Sequence, residues 1–138
     1  MARQTEISPL ESHLGYWMRY VSNHVSHAFS LKLATRGVTV AEWVVLRELH
    51  DAESAPSALA DRLIVKGLIV RRANDGDRRF QSLALTRAGR AATPKLAALA
   101  DENDREFFAD LDSATREAIA TAMKDIVRRK GLRGAPVD

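Results

Sequence analysis

Two pairs of arginines flank a tight-turn signal in the middle of the chain; they are Arg71, Arg72, Arg78 and Arg79. Between them, Asp75-Gly76 is a typical two-residue hairpin turn, and the apolar runs 68–70 and 83–85 predict two antiparallel strands. A guanidinium group presents a planar fork of donors that matches phosphate geometry. The stretch 67–86 therefore predicts a basic β-hairpin suited to phosphate contact or to insertion into a DNA groove.

The charge of the chain is unevenly distributed along the sequence. The segment 62–90 contains eight basic and two acidic residues, a balance of +6, whereas the rest of the chain has a balance of −3 within a net charge of +3. A basic segment on an otherwise acidic chain is the electrostatic pattern of a nucleic-acid-binding protein. A solvated basic surface is the alternative interpretation of the charge alone.

A second row of residues with possible chemistry lies near the N-terminus. At helical spacing, these residues fall within an arc of about 80°; they are His13, Trp17, Tyr20, His24 and His27. Aromatic rings beside imidazoles suit a pocket for a small aromatic anion, to which Trp43 is a further candidate. A helix–helix interface with hydrogen-bonded histidines is the alternative. We expect no metal at His24 and His27, because no nearby carboxylate or cysteine completes a ligand set.

Composition restricts the class of protein. A chain of 138 residues suits one domain, and no apolar run approaches the roughly 20 residues that cross a bilayer. The start of the sequence has no apolar signal segment and the chain has no cysteine, so we expect a cytoplasmic protein. No Ser/His/Asp arrangement, glycine-rich phosphate loop or metal cluster indicates an enzyme or a cofactor.

Helices are predicted on both sides of the hairpin. Ser8-Pro9 begins the first helix, which runs to about Ala34, and Thr39 with Glu42 forms a capping box for a helix over 40–50. Pro56 opens a short helix over 57–63. A bent helix with Pro94 and a last helix from Asp112-Ser113 follow the hairpin. The terminal helices contain more apolar surface than one small domain covers, which predicts a homodimer.

The order of these segments closely resembles the winged helix-turn-helix regulators of the MarR (multiple antibiotic resistance regulator) family. The resemblance rests on the sequences WVVLREL, LADRL, KGLIVRR, DGDRR, LALT and RAGR, in that order. It implies a mainly α fold with a small β-wing in a single domain, 1–138. Residues 39–86 would form the winged-helix lobe, and residues 8–36 and 87–130 the helical dimerisation region.

The same resemblance implies a function and a set of site residues. A protein of this kind is a homodimeric, ligand-responsive regulator, expected to be a repressor, that binds a pseudo-palindromic operator. Arg79 would reach the minor groove, with Asp77 holding it and Arg78 near the backbone; an ordinary turn salt bridge is the alternative for this pair. The remaining DNA-binding candidates are Arg72 and Ser57. The effector would be a small aromatic or phenolic anion bound by residues of the row; these candidates are His13, Trp17, Tyr20, His24 and Trp43.

The chain departs from the family pattern between Leu63 and Lys66. In the family, the LADRL helix precedes a second helix that enters the major groove, but here only Ile64-Val65 precedes the KGL sequence. Two residues rise about 3 Å in a helix, so no recognition helix fits. Either the helix is deleted, which would leave a dimerisation module without specific DNA binding, or a segment is missing near 63–66. We favour the second interpretation, because a deletion would expose Leu59 and Leu63.

Overall fold

A computed structural model describes residues 6–52, 59–74, 77–134 and 136, with side chains except at 74 and 77–81. Within these ranges, five α-helices and one two-stranded antiparallel sheet follow one another. Their bounds are α1 Leu14–Ala34, α2 Val40–Asp51, α3 Ala60–Val65, β1 Ile69–Asn74, β2 Asp77–Leu85, α4 Arg87–Phe107 and α5 Ser113–Arg129. The expected fold class, mainly α with a small β-wing, is confirmed.

The first helix begins later than the sequence predicts. Residues Leu10–Ser12 form a 3₁₀ turn after Pro9, and His13 is extended, so the α-helix starts only at Leu14. The indole N–H of Trp17 donates to the carbonyl oxygen of Glu11 at 2.7 Å and closes this break. The prediction of a helix beginning at Ser8-Pro9 is therefore wrong, since the side chain of Trp17, six residues beyond Glu11, takes up a carbonyl of the predicted first turn.

Local capping signals set the next boundary as predicted. Gly37 has a positive φ of 69°, and the amide of Val38 donates to the carbonyl of Leu33, which ends α1. The capping box is complete, because Thr39 Oγ1 accepts from the Glu42 amide at 3.1 Å and Glu42 Oε1 accepts from the Thr39 amide at 2.9 Å. A sharp, fixed corner thus joins α1 to α2.

A short turn joins α3 directly to the sheet. The amide of Gly67, whose φ is 74°, donates to Ile64, and the amide of Leu68 donates to the carbonyl of Leu63. This is a regular glycine-terminated helix end. Leu63 is fully buried and Leu59 packs against the core. The expectation that a deletion near 63–66 would expose these leucines is therefore wrong: the core closes over them.

The core lies where the lobe helices, the sheet and the first half of α4 meet. Three residues of the sheet are buried against the helices: they are Ile69, Leu83 and Leu85. They join a cluster that includes Leu33 of α1, Leu46 of α2 and Leu96 of α4. Burial of aliphatic side chains at about 1.5–3 kcal/mol each stabilises this assembly.

The long helices extend away from this core. Helix α4 contains Pro94 and packs against α1 and α2, and α5 begins after Asp112, whose side chain accepts from the Thr115 amide at 2.8 Å. Asn103 is buried between α4 and α1 and donates to the carbonyl of Val25. None of the helices in the described ranges is long and apolar enough to span a bilayer.

Candidate nucleic-acid interface

An ion pair between a buried carboxylate and a partly exposed lysine holds the end of α3 against the corner between α1 and α2. Lys66 Nζ donates to Glu42 Oε1 at 2.8 Å and to the carbonyl oxygen of Gly37 at 2.8 Å. Glu42 is fully buried, whereas the Lys66 side chain is 37% exposed. Since Lys66 is the C-cap of α3, one ammonium group fixes the start of the wing relative to the corner.

The environment keeps Glu42 ionised. Burial would raise the pKa of its carboxyl, but the hydrogen bonds from Lys66 and Thr39 outweigh burial and hold this pKa below 4.5. The second oxygen, Oε2, is buried and has no hydrogen-bond partner among the described residues. The carboxylate therefore depends on Lys66 and the capping box, and loss of either leaves a buried charge poorly compensated.

The root of the wing is clamped to the first turn of α4. Thr86 Oγ1 donates to the carbonyl of Gly67 at 2.6 Å and accepts from the Gly89 amide at 3.1 Å, so Thr86 caps α4. The Thr86 amide donates to Leu68 at 3.1 Å. Gly89 is required here, because a Cβ atom would lie 2.1 Å from the carbonyl oxygen of Leu68.

The basic side chains on β1 lie at the surface beside α3. Arg71 Nη2 donates to Asp61 Oδ1 at 2.7 Å, so this arginine links the first strand of the wing to α3. Arg72, a predicted DNA-binding residue, is exposed and lies opposite Ser82 in the register. The neighbouring α3 is open to solvent on one side, where Val65 is 87% exposed.

The other predicted wing residues lie at the tip of the hairpin. Asp77, Arg78 and Arg79 begin β2, and the structure describes their backbone only. Ala73 pairs with Gln81 and Asn74 with Asp77, so the backbone of residues 78–80 has no partner in β1 and forms a bulge. Bulges often redirect side chains next to functional sites. Ser57, the remaining candidate, lies outside the described residues.

The aromatic row of α1 forms a surface ladder. Tyr20 and His24 stack with ring centroids 4.9 Å apart, and Trp17 is 48% exposed. Trp43 instead packs edge to face on Phe29 at 6.3 Å. The N-terminal member, His13, caps α1 and is exposed. Among the residues that the structure describes, no three His, Asp or Glu side chains are grouped to hold a metal.

Large apolar side chains are exposed on the two terminal helices. On and before α1 they are Ile7, Leu10, Leu14, Met18, Val21 and Leu31. On α5 and its C-terminal turn they are Ile119, Met123, Ile126, Val127 and Leu132. None of the residues of α5 is fully buried in the single chain. Apolar surfaces of this kind mark sites of interaction.

Reasoning from the sequence found the capping residues but missed the contacts between distant segments. Glu42 was identified as the acid of a capping box, and its second role, as the partner of Lys66, is made by a contact across 24 residues. In the sequence, the only signal of this ion pair was Lys66, directly before Gly67. The bulge at 78–80 was also missed, because a perfect hairpin pattern and a bulged one contain the same residue types.

Comparison with known proteins identifies the fold. No protein-family model matches the chain. No curated protein sequence matches it either. Solved structures do match, across almost their whole length. The transcriptional repressor CouR, bound to a 23-mer DNA duplex, is 24% identical with a TM-score of 0.79, and the match covers 91% of this chain and 99% of CouR.

Two other similar structures contain or are described with small aromatic acids. BpsR of Bordetella bronchiseptica, described with regulation of its DNA binding by 6-hydroxynicotinic acid, is 20% identical (TM-score 0.79; 88% and 97% covered). A MarR-family protein of Mycobacterium tuberculosis in complex with salicylic acid is 21% identical (TM-score 0.71; 88% and 98% covered). With its helical region, clamped wing and short α3, the chain has the winged-helix fold of the MarR-family regulators.

Proposed function

We propose that the chain is a homodimeric, ligand-responsive transcriptional regulator that binds double-stranded DNA and acts as a repressor. The observation that carries the proposal is the position of the +6 segment: residues 62–90 comprise most of α3, the whole wing and the start of α4. A basic wing on this fold suits a duplex, since phosphate contacts supply much of the affinity and groove contacts the specificity.

Helix α3 is the element proposed to face the major groove. It directly precedes β1, the place that the family pattern gives to the helix that enters the groove. The LADRL sequence would then belong to the helix that enters the major groove, and not to the first helix of the helix-turn-helix motif. Arg79 on the bulge would enter the adjacent minor groove.

The dimer is proposed to form through α1 and α5, whose exposed apolar residues would bury each other across a two-fold axis. Such a dimer would present two wings to two half-sites of a pseudo-palindromic operator. The aromatic row borders this surface, so the second subunit would enclose Trp17, Tyr20 and His24. The effector proposed for this row is a small aromatic or phenolic anion, in keeping with the acids named for two similar structures.

Selection of DNA tests the proposal. A random duplex library is passed over the immobilised protein, and the enriched sequences are measured by fluorescence anisotropy at several salt concentrations. We expect a pseudo-palindromic sequence to be enriched and its affinity to fall steeply with salt. Enrichment of no sequence above a scrambled duplex would contradict the proposal.

One alternative is favoured by a specific observation. Helix α3 has only six residues, a short element for reading several bases, so the chain could act as a dimerisation module without specific DNA binding. In that case the protein would dimerise but the selection would enrich nothing. Sedimentation and DNA selection on the same preparation therefore separate the two functions.

The effector site is tested separately. In calorimetric titrations with salicylate, His24→Ala should reduce the binding heat, because it removes the ring stacked on Tyr20. His50→Ala, an exposed histidine on α2, is the matched control and should leave the heat unchanged. Equal heats for His24→Ala and the unmodified protein, with a lower Tm of the variant, would assign the row a structural role only.

A further inference from the structure

A cleft of about 360 Å³ lies beside the root of the wing, away from the aromatic row. Its floor is apolar and is formed by Val38 after the α1–α2 corner, Leu68 before β1, and Ala92 and Leu96 of α4. The volume falls within the range of small-molecule sites, roughly 300–1,000 Å³. The cleft therefore has room for a small organic molecule with an apolar body.

Two cationic side chains line this cleft, and none of the described residues that line it is acidic. Arg36 and Lys95 both line the cleft and are exposed. Neither makes an ion pair with any residue in the part of the chain that the structure describes. By contrast, Arg71 and Lys66 nearby are engaged with Asp61 and Glu42. An apolar floor with two unpaired cations is complementary to an organic anion.

A second cleft, also lined by α4, is less suited to an anion. It has a volume of about 320 Å³, and its lining includes Arg47 and His50. Arg47 is already paired with Asp51 at 2.8 Å, and Asp101 adds a negative charge to the lining. An anion would therefore meet a negative charge there, whereas the described residues that line the first cleft include no acid.

We propose that the cleft between the α1–α2 corner and α4 binds a small organic carboxylate, with Arg36 and Lys95 holding the carboxylate and Val38, Leu68 and Leu96 covering the apolar body. The site is distinct from the aromatic row. A molecule bound there would touch both the corner that Lys66 holds and Leu68, the residue that joins α3 to β1. An effect on DNA affinity rests on the proposed regulator function, but binding of the anion does not.

The test uses benzoate and isotope-labelled full-length protein in an NMR titration without DNA. We expect saturable shifts of the backbone amides of Leu68 and Ala92 with benzoate. Benzamide, which lacks the charge, and acetate, which lacks the ring, should bind at least about tenfold more weakly. Because the readout is located at the cleft and needs no DNA, its failure is distinguishable from failure of the regulator proposal.

Variants separate this site from the other candidates. Arg36→Gln and Lys95→Gln should each raise the Kd for benzoate about tenfold, since each removes one charge-assisted contact. Lys95→Arg should restore binding, and Ala92→Leu, which fills the floor, should abolish it while circular dichroism remains that of the folded protein. Arg47→Gln, in the second cleft, is the matched control and should leave the Kd unchanged.

Three results would overturn the proposal. They are no saturable shift at Leu68 and Ala92, an unchanged Kd in both Arg36→Gln and Lys95→Gln, or loss of binding in His24→Ala with normal binding in Lys95→Gln. The last result would move the anion to the aromatic row.

Discussion

Lys66 Nζ lies 2.8 Å from Oε1 of Glu42, and this one contact joins the C-terminus of α3 to the first turn of α2. The same ammonium group holds the carbonyl of Gly37 in the α1–α2 corner. On the other side of the turn, Thr86 and Gly89 fasten Gly67 and Leu68 to α4. The wing is therefore anchored at its root from two directions, and its basic tip projects from a fixed base.

The first prediction concerns the charge of Glu42. Glu42→Gln keeps the size of the side chain and removes its charge, so the free energy of unfolding should fall by about 1–3 kcal/mol at neutral pH. Urea unfolding followed by circular dichroism measures the change. Glu48→Gln, an exposed position on the same helix, should have little effect. Equal stability of Glu42→Gln and the unmodified protein would show that the ion pair between Glu42 and Lys66 contributes nothing to the free energy of unfolding.

The second prediction gives the pH dependence of this pair. Hydrogen bonds to Lys66 and Thr39 hold the pKa of folded Glu42 below 4.5, so its stabilisation is present above pH 4.5 and is lost as the pH falls through the lowered value. The difference in unfolding free energy between Glu42→Gln and the unmodified protein should therefore shrink in acid. Denaturation curves at neutral pH and well below pH 4.5 test this, and a constant difference would contradict it.

The sequence predicted those parts of the fold that depend on neighbouring residues. The capping box of Thr39 and Glu42 and the start of the last helix at Asp112 were predicted because each cap is completed within three residues. The two strands of the wing were predicted because the apolar runs 68–70 and 83–85 flank a turn signal. The capping residues and the apolar runs are local signals, and the structure confirms the helix starts and the strands that they predict.

Features that depend on distant contacts could not be predicted in the same way. The start of α1 moved because the Trp17 indole reaches the Glu11 carbonyl, and the α3–β1 turn is tied to Thr86, 19 residues away from Gly67. The sequence pattern between Leu63 and Lys66 suggested an interruption. The structure instead buries Leu63 and closes the turn through Gly67. The packing of Leu63, which involves distant residues, decides between an interrupted and a continuous chain at this turn.

The third prediction compares two helical glycines. Gly89→Ala should lower the free energy of unfolding by about 1–3 kcal/mol or more, because the added Cβ would lie 2.1 Å from the Leu68 carbonyl oxygen. Gly15→Ala in α1 meets no atom within 4 Å and should be neutral or stabilising by up to about 1 kcal/mol. Thermal and urea unfolding measure both, and equal effects would show that the close approach at Gly89 is not rigid.

The fourth prediction tests the proposed dimer. Val127→Glu places a charge in the exposed apolar face of α5 and should convert a dimer to a monomer at micromolar concentration, because a buried unpaired carboxylate is costly. Thr121→Glu, on the opposite side of α5, is the matched control and should remain dimeric. Sedimentation velocity measures both. A dimer of unchanged affinity in Val127→Glu would place the interface elsewhere.

The fifth prediction concerns the arginine on the bulge of the wing. If Arg79 enters a minor groove, Arg79→Ala should weaken binding to the selected duplex by about 1–3 kcal/mol. The slope of log Kd against log salt concentration should fall by about 1, the value for one lost phosphate contact. The Tm and the sedimentation of this variant should stay unchanged, since the backbone of residue 79 lies towards the tip of the wing, beyond the paired residues 69–73 of β1.

Two comparisons make this result specific to the wing. Arg116→Ala removes the same charge from the exposed surface of α5 and should change DNA affinity little. Arg79→Lys retains the charge but loses the planar fork, so it should recover the salt dependence more fully than the affinity. If Arg79→Ala and Arg116→Ala weaken binding equally, the effect is one of net charge, and the assignment of Arg79 to the groove is wrong.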